Sequence, residues 1–254
     1  MNPHIGRLLA SALAIAMAAC ASGNVGGQSS PSAAGDTPSP IPSSMAVTNI
    51  YDVPNFGPLE TGTYSIDPDK DNSTPLQVLY TIPAEGWGQW IGAFKGEEGA
   101  NRAVGVSITN VTNLVVDGCT DHSAAHPPVG PEVDDLAAAL VNLAPFRVKD
   151  PPTDVTLAGY PGTRLSLTLP DVAHEFRAGN IYYTGCTNGE LWSWKAPNLS
   201  DAFHGYQGPG AIEEFWILDV DGSRLVIIGG WYEESPPADI AEMRAILESI
   251  QIEP

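Results

Sequence analysis

The chain has 254 residues, with 11 Lys or Arg against 30 Asp or Glu, and a net charge of −19 at pH 7. That balance excludes nucleic acid as a partner, because such binding needs clustered cations that displace counterions from phosphate. It also excludes charge-driven attachment to anionic lipid, so membrane association requires an anchor.

In chain order, Met1 to Arg7 is a short lead with one cation, and Leu8 to Ala19 is an uncharged apolar run of twelve residues. A membrane-spanning helix takes ~20 residues, so the run reads as the core of a signal peptide. Residues 1–19 form that signal, and it ends Met17-Ala18-Ala19-Cys20. The ending resembles the lipobox of bacterial lipoproteins, in which small residues precede a cysteine that is diacylated on sulfur and becomes the mature N-terminus. Met17 stands where that family usually has Leu. The resemblance implies lipidation at Cys20, the lipid bilayer as partner through the acylated cysteine, and location on the outer face of the cell membrane. The alternative is ordinary signal-peptidase cleavage after Ala16-Met17-Ala18, which gives a secreted chain.

Ala21 to Ser44 is rich in Ser, Pro and Gly, with Asp36 its only charge. Such a segment buries too little apolar surface to offset its ordering entropy, so residues 20–44 are expected to be a disordered tether. The folded domain is then 45–254. If Cys20 carries lipid, Cys119 and Cys186 remain, and export through an oxidising compartment favours joining them. The enclosed loop of 67 residues predicts a stabilisation of roughly 4 kcal/mol in the chain-entropy view.

Within the domain, Thr63–Ile66, Leu76–Ile82, Trp90–Phe94 and Gly105–Val116 read as strands, the last continuing the alternation of Val104, Val106 and Ile108. Glu132–Leu143 changes to helical spacing through Val133, Leu136, Ala137, Leu140 and Val141, with acids at its positive end and Pro145 after it. The segment Cys119 to Pro131 before it reads as a loop. Val155–Leu157 and Thr163–Leu169 form a hairpin, Leu191–Trp194 a short strand, and Phe215–Trp231 a hairpin turning at Asp221-Gly222. Pro237–Ile250 is helical, with Ile240, Met243, Leu247 and Ile250 on one stripe. The expected class is α+β, an antiparallel sheet with two principal helices packed on it.

The order of Tyr80-Thr81-Ile82-Pro83-Ala84-Glu85-Gly86-Trp87, the middle helix, the Gly159-Tyr160-Pro161-Gly162 hairpin, the run from Trp216 to Ile227 and the terminal helix ending Leu247-Glu248-Ser249-Ile250 resembles uncharacterised actinobacterial exported lipoproteins. More distantly it is similar to the Mog1/PsbP-like α/β sandwich. The resemblance implies a sheet between helices and binding or assembly roles, and fold analogy leaves function to the site.

Among candidate sites, His122 and His126 are spaced i,i+4 near Asp117, Cys119 and Asp121, a spacing that on a helix suits a metal. Pro127 and Pro128 and the rival use of Cys119 in a disulfide favour exposed loop histidines instead. Asp67, Asp69 and Asp71 begin like an EF-hand, but Asn72 and Val78 break the pattern, which leaves a solvated turn. The serine-hydrolase elbow and the glycine-rich phosphate loops are absent, so no cofactor is expected. Aromatics are more suggestive. Trp192 and Trp194 are two apart on a strand and share a face, with Ser193 opposite. With Tyr206 in a glycine-rich stretch and Trp231, they are the ligand-binding candidates, against the alternative that they are core. The resulting reading is a membrane-anchored, non-enzymatic binding or interaction module of the cell envelope for an unknown protein or small molecule. The rival is a cell-envelope hydrolase using carboxylate or histidine chemistry. Convergence of Asp121, His122, His126 or His174 in a cleft would favour the rival.

Overall fold

The computed structural model describes residues 47–68, 76–96, 102–177, 180–195, 203–205 and 208–254. The chain divides into Met1–Ser43 and Ser44–Pro254, and every described residue lies in the second unit. The expected signal segment, Cys20 and the expected tether therefore lie outside the described residues, and no described helix is long and apolar enough to cross a membrane.

The elements run β1 (Thr48–Asn49), β2 (Pro58–Leu59), β3 (Gly62–Ile66), β4 (Gln77–Ile82), β5 (Trp87–Trp90), β6 (Gly92–Lys95), β7 (Val104–Asn110), β8 (Val115–Asp117), β9 (Asp121–Ala124) and α1 (Val133–Val141). There follow β10 (Arg147–Leu157), β11 (Tyr160–Thr168), β12 (His174–Arg177), β13 (Asn180–Tyr183), β14 (Trp192–Lys195), β15 (Phe203–Gly205), β16 (Ile212–Val220), β17 (Ser223–Trp231), α2 (Pro237–Glu248) and β18 (Gln251–Glu253). The main sheet has eight antiparallel strands in the order β10-β11-β16-β17-β7-β6-β5-β2. A smaller sheet, β1-β3-β4-β18, is antiparallel except for the β1–β3 pair. The pairs β8–β9, β12–β13 and β14–β15 stand as separate ribbons. The α+β class with two helices and antiparallel sheets agrees with the expectation from sequence.

The β16–β17 hairpin explains the layering. Asp221 and Gly222 take φ of 52° and 83°, as a tight two-residue turn requires. Both strands are apolar on both faces, the pattern of a sheet covered on both sides. Trp216, Leu218, Leu225 and Ile227 enter a core with Met243, Ile246 and Leu247 of α2 and with Val78, Tyr80 and Ile82 of the small sheet. Phe215, Ile217, Val226 and Ile228 enter a second core with Leu136, Ala137 and Leu140 of α1. The two helices thus cover opposite faces of the main sheet.

Three expected elements differ. The expected strand Trp90–Phe94 is instead two strands meeting at Ile91, because Gly92 has φ 145° and a Cβ there would lie 2.2 Å from the Val106 carbonyl oxygen. The expected strand Gly105–Val116 ends at Asn110. Beyond it the Arg224 guanidinium draws the chain out of the sheet, donating to the carbonyls of Val111 (2.8 Å) and Thr112 (3.1 Å), and also to those of Gly130 (2.6 Å) and Glu132 (3.1 Å). The expected loop after Cys119 contains β9, a polar and mostly exposed strand that carries no apolar alternation.

Cys119 and Cys186 are joined, with Cα atoms 4.4 Å apart. Hydrogen bonds from Thr187 N to Cys119 O (2.7 Å) and from Trp192 N to Gly118 O (2.9 Å) bind the same two segments.

Arg224→Met is expected to destabilise the domain by about 2 kcal/mol in urea unfolding, since part-buried and exposed carbonyls lose charge-assisted partners. A loss below about 1 kcal/mol would show that water replaces the guanidinium.

Candidate functional site

Strand register builds the site. On the α2 side of the main sheet, neighbouring strands align Arg164, Trp216 and Ile227 in one row, Ser166, Glu214 and Gly229 in the next, and Thr168, Ile212 and Trp231 in the third. Trp216 and Ile227 of the first row belong to the apolar core, and the second row breaks it with a carboxylate. The Glu214 side chain is only 2% exposed and pairs with two guanidiniums, Arg164 of β11 and Arg244 of α2. A buried carboxylate needs such compensation, and two half-exposed cations supply it from different elements.

The aromatic rings frame this triad. The Arg244 guanidinium lies 4.8 Å from the Trp231 ring, and both arginines sit 5.9 Å from the Trp216 ring. Gly229 makes the fit possible, because a Cβ there would meet Leu247 Cδ1 at 3.0 Å and Trp216 Cζ3 at 3.5 Å. Beside Glu214, the buried Ser166 hydroxyl donates to the Asp150 carboxylate of the edge strand.

One row further, Thr168 and Ile212 open into a cleft of about 400 Å³ bordered by Lys149, Gly210, Tyr232 and Glu233. Its far rim is fixed by a tight turn, in which Tyr232 N donates to Ser235 Oγ (2.9 Å) and that hydroxyl donates to Ala103 O (3.0 Å). The cleft thus offers an apolar floor at Ile212, a hydroxyl at Thr168 and charges of both signs at its edge. That lining suits a small polar ligand with an apolar face. Burial, with the nearby Glu213 carboxylate adding to it, pushes the Tyr232 hydroxyl up to about 12. Burial raises Tyr183 as well, with Tyr232 and Glu213 contributing. Both hydroxyls are therefore donors, not anions, at neutral pH.

The ligand-binding candidates read from sequence do not form one surface. Trp231 packs against the α2-side core, whereas Trp192 and Trp194 pack on the α1 side, so the main sheet separates them. Trp194 is 2% exposed and meets Phe215 edge-on at 6.2 Å, which makes it core. Trp192 is half-buried beneath the His122 ring, stacked at 4.7 Å. Ser193, expected opposite the tryptophans, is itself fully buried. Tyr206 lies outside the described residues.

Nor do the histidines converge on the cleft. His122 contacts the Gly118 carbonyl through Nε2 at 3.0 Å, His126 is exposed, and His174 contacts the Val172 carbonyl through Nδ1 at 2.9 Å. Asp67 is buried, with the Tyr51 hydroxyl donating to its backbone carbonyl at 2.9 Å, while Asp69 and Asp71 lie outside the described residues. Among the described residues no group of three His, Cys, Asp or Glu is placed to hold a metal ion. The triad of Arg164, Glu214 and Arg244 escapes the sequence reading. Its single sequence signal is a glutamate at position 214, in step with the apolar Trp216 and Leu218.

No family model matches the chain, and no curated protein matches it. Among solved structures it is similar to LpqN of Mycobacterium tuberculosis, described as involved in cell envelope biogenesis, with 12% sequence identity and a TM-score of 0.32. That likeness covers 81% of this chain and 95% of LpqN.

Two outcomes follow from this geometry. Glu214→Gln is expected to destabilise the domain by about 1–2 kcal/mol in chemical unfolding, because the buried amide no longer neutralises two arginines that are themselves partly hydrated. Tyr232 and Tyr183 keep their protons in the fold above the pH of about 10 at which the unfolded chain loses them. The unfolded state then binds fewer protons, so the contribution of these two groups is constant below about pH 10 and falls above it, by about 1.4 kcal/mol per pH unit for each tyrosine, with buried Tyr80 acting in the same direction. Urea unfolding between pH 8 and 11 measures that slope, and Tyr232→Phe should make it shallower.

Proposed function

We propose that the protein is a membrane-anchored extracytoplasmic lipoprotein whose acidic domain is a non-enzymatic binding module of the bacterial cell envelope. The cleft between Thr168, Ile212 and Tyr232 is its ligand site, and its ligand is a small polar molecule with an apolar face. The anchor is acylated Cys20, supported by the twelve-residue apolar run that ends at this cysteine. The disulfide supports export, since it occupies the other two cysteines in a bond that persists in oxidising compartments.

The observation that carries binding over catalysis is the state of the polar groups behind the cleft. The carboxylate of Glu214 is neutralised by two arginines, and Ser166 is 2% exposed with its hydroxyl donated to Asp150. Groups paired in this way support a reading in which they hold the sheet beside the cleft in shape.

Mass spectrometry of the native protein extracted from membranes tests the anchor. The expected species begins at a diacylglyceryl-modified Cys20, and an unmodified mature N-terminus would remove the anchor from this reading. Thermal-shift screening with neutral and zwitterionic small molecules tests the cleft. A stabilising compound should lose its effect in Thr168→Phe, which fills the cleft. Turnover of a compound that one point mutation abolishes would replace the binding role with an enzymatic one.

A further inference from the structure

A second feature lies on the opposite border of the main sheet, in strands that contribute nothing to the cleft. Phe56 is 50% exposed and Trp90 39% exposed, in a domain that buries most of its large apolar side chains. Their rings adjoin at 5.1 Å with a 39° tilt, and Phe94 meets Phe56 edge-on at 6.0 Å.

The backbone holds this cluster in place at a conformational cost. Phe56 has φ 59°, a left-handed conformation that disfavours any residue with a Cβ. The structure maintains it through Gln89, which is 4% exposed. Its side-chain oxygen accepts from Phe56 N (3.3 Å), its amide nitrogen donates to Trp90 O (2.8 Å), and its backbone carbonyl also accepts from Phe56 N (3.2 Å). Phe94 lies flat on its cross-strand partner Gly88, where a Cβ would stand 2.6 Å from the ring. A buried amide, a strained residue and a bare glycine thus combine to present two aromatic rings to solvent. Strain maintained by surrounding structure in this way marks functional sites.

We infer that Phe56 and Trp90 form a platform on which a neutral sugar ring stacks. The size of the patch favours a single ring or two. Half a phenylalanine and two fifths of a tryptophan expose on the order of 200 Å², against ~800 Å² per partner in a stable protein interface. Charge selects the class. The electron-rich ring faces complement the positively polarised C–H face of a pyranose, and the chain's net charge of −19 repels phosphorylated or acidic glycans and anionic lipid. The one cation of the adjoining strand, Lys95, is held by Asp239 (2.9 Å) and Glu242 (2.7 Å) and does not offset that repulsion. The site is independent of the cleft, so either can fail alone.

The test uses the full chain carrying Cys20→Ser, which has no acyl chain to bind lipid by itself. Calorimetric titration with maltoheptaose, cellohexaose and mannopentaose is expected to show binding of at least one sugar, weakened at least about tenfold by Trp90→Ala and by Phe56→Gly. Glycine accepts the φ at position 56, so Phe56→Gly removes the ring with an unchanged or higher melting temperature and serves as the folded control. Thr168→Phe should leave sugar binding intact. The inference is overturned if none of the three sugars binds, or if binding survives both platform variants. It is overturned equally if phosphatidylcholine vesicles, and no sugar, bind in a manner that depends on Phe56 and Trp90, which would make the patch a membrane contact.

Discussion

Burial of the β16–β17 hairpin on both faces is the constraint from which the rest of the domain follows. A strand pair that is apolar on both faces through Phe215–Leu218 and Leu225–Ile228 has to be covered twice, and each cover must come from distant sequence. Helix α2 and the small sheet meet one face, and α1 with the disulfide-linked segments meets the other. Because side chains alternate along each strand, the same register that divides Trp216 from Phe215 also decides which groups can be neighbours at the sheet's end. Glu214 falls on the α2 face, so its partners must come from β11 and α2, and they do.

Cations are scarce in this chain, and the described ones of greatest consequence work inside the structure. Arg164 and Arg244 neutralise a buried carboxylate, Lys95 joins β6 to α2, and Arg224 holds the loops on either side of the β8–β9 ribbon. Residues 45–254 carry 10 Lys or Arg against 29 Asp or Glu, so engaging these cations leaves a surface dominated by carboxylates. That distribution is the reason a neutral ligand is proposed for the cleft and for the aromatic platform.

Much of the architecture was legible in the sequence wherever a local rule operates. The Asp221-Gly222 turn needs left-handed conformations that few residue pairs supply, and the helices announce themselves by spacing and flanking prolines. The pairing of Cys119 with Cys186 followed from parity once Cys20 was set apart. Ligand candidates fared less well for a physical reason. Tryptophans are legible as a residue type, but alternation places Trp192 and Trp194 on one face of a strand without saying whether solvent or core lies there. Trp194 met Phe215 and Trp192 met His122, contacts made across long stretches of chain. The adjacency of Phe56 and Trp90 is not legible in the sequence because it depends on the β2–β5 pairing of Pro58 with Gly88.

By itself, then, the sequence determined the tight turn at Asp221-Gly222, the two helices and the disulfide, since backbone preference, apolar spacing and cysteine parity require no knowledge of the fold. Tertiary structure alone decided which aromatic side chains face water and which carboxylate is buried. Glu214 meets Arg164 across 50 residues and Arg244 across 30, and Phe56 meets Gln89 across 33. Contacts of that range are set by strand register and helix packing, and no local pattern encodes them.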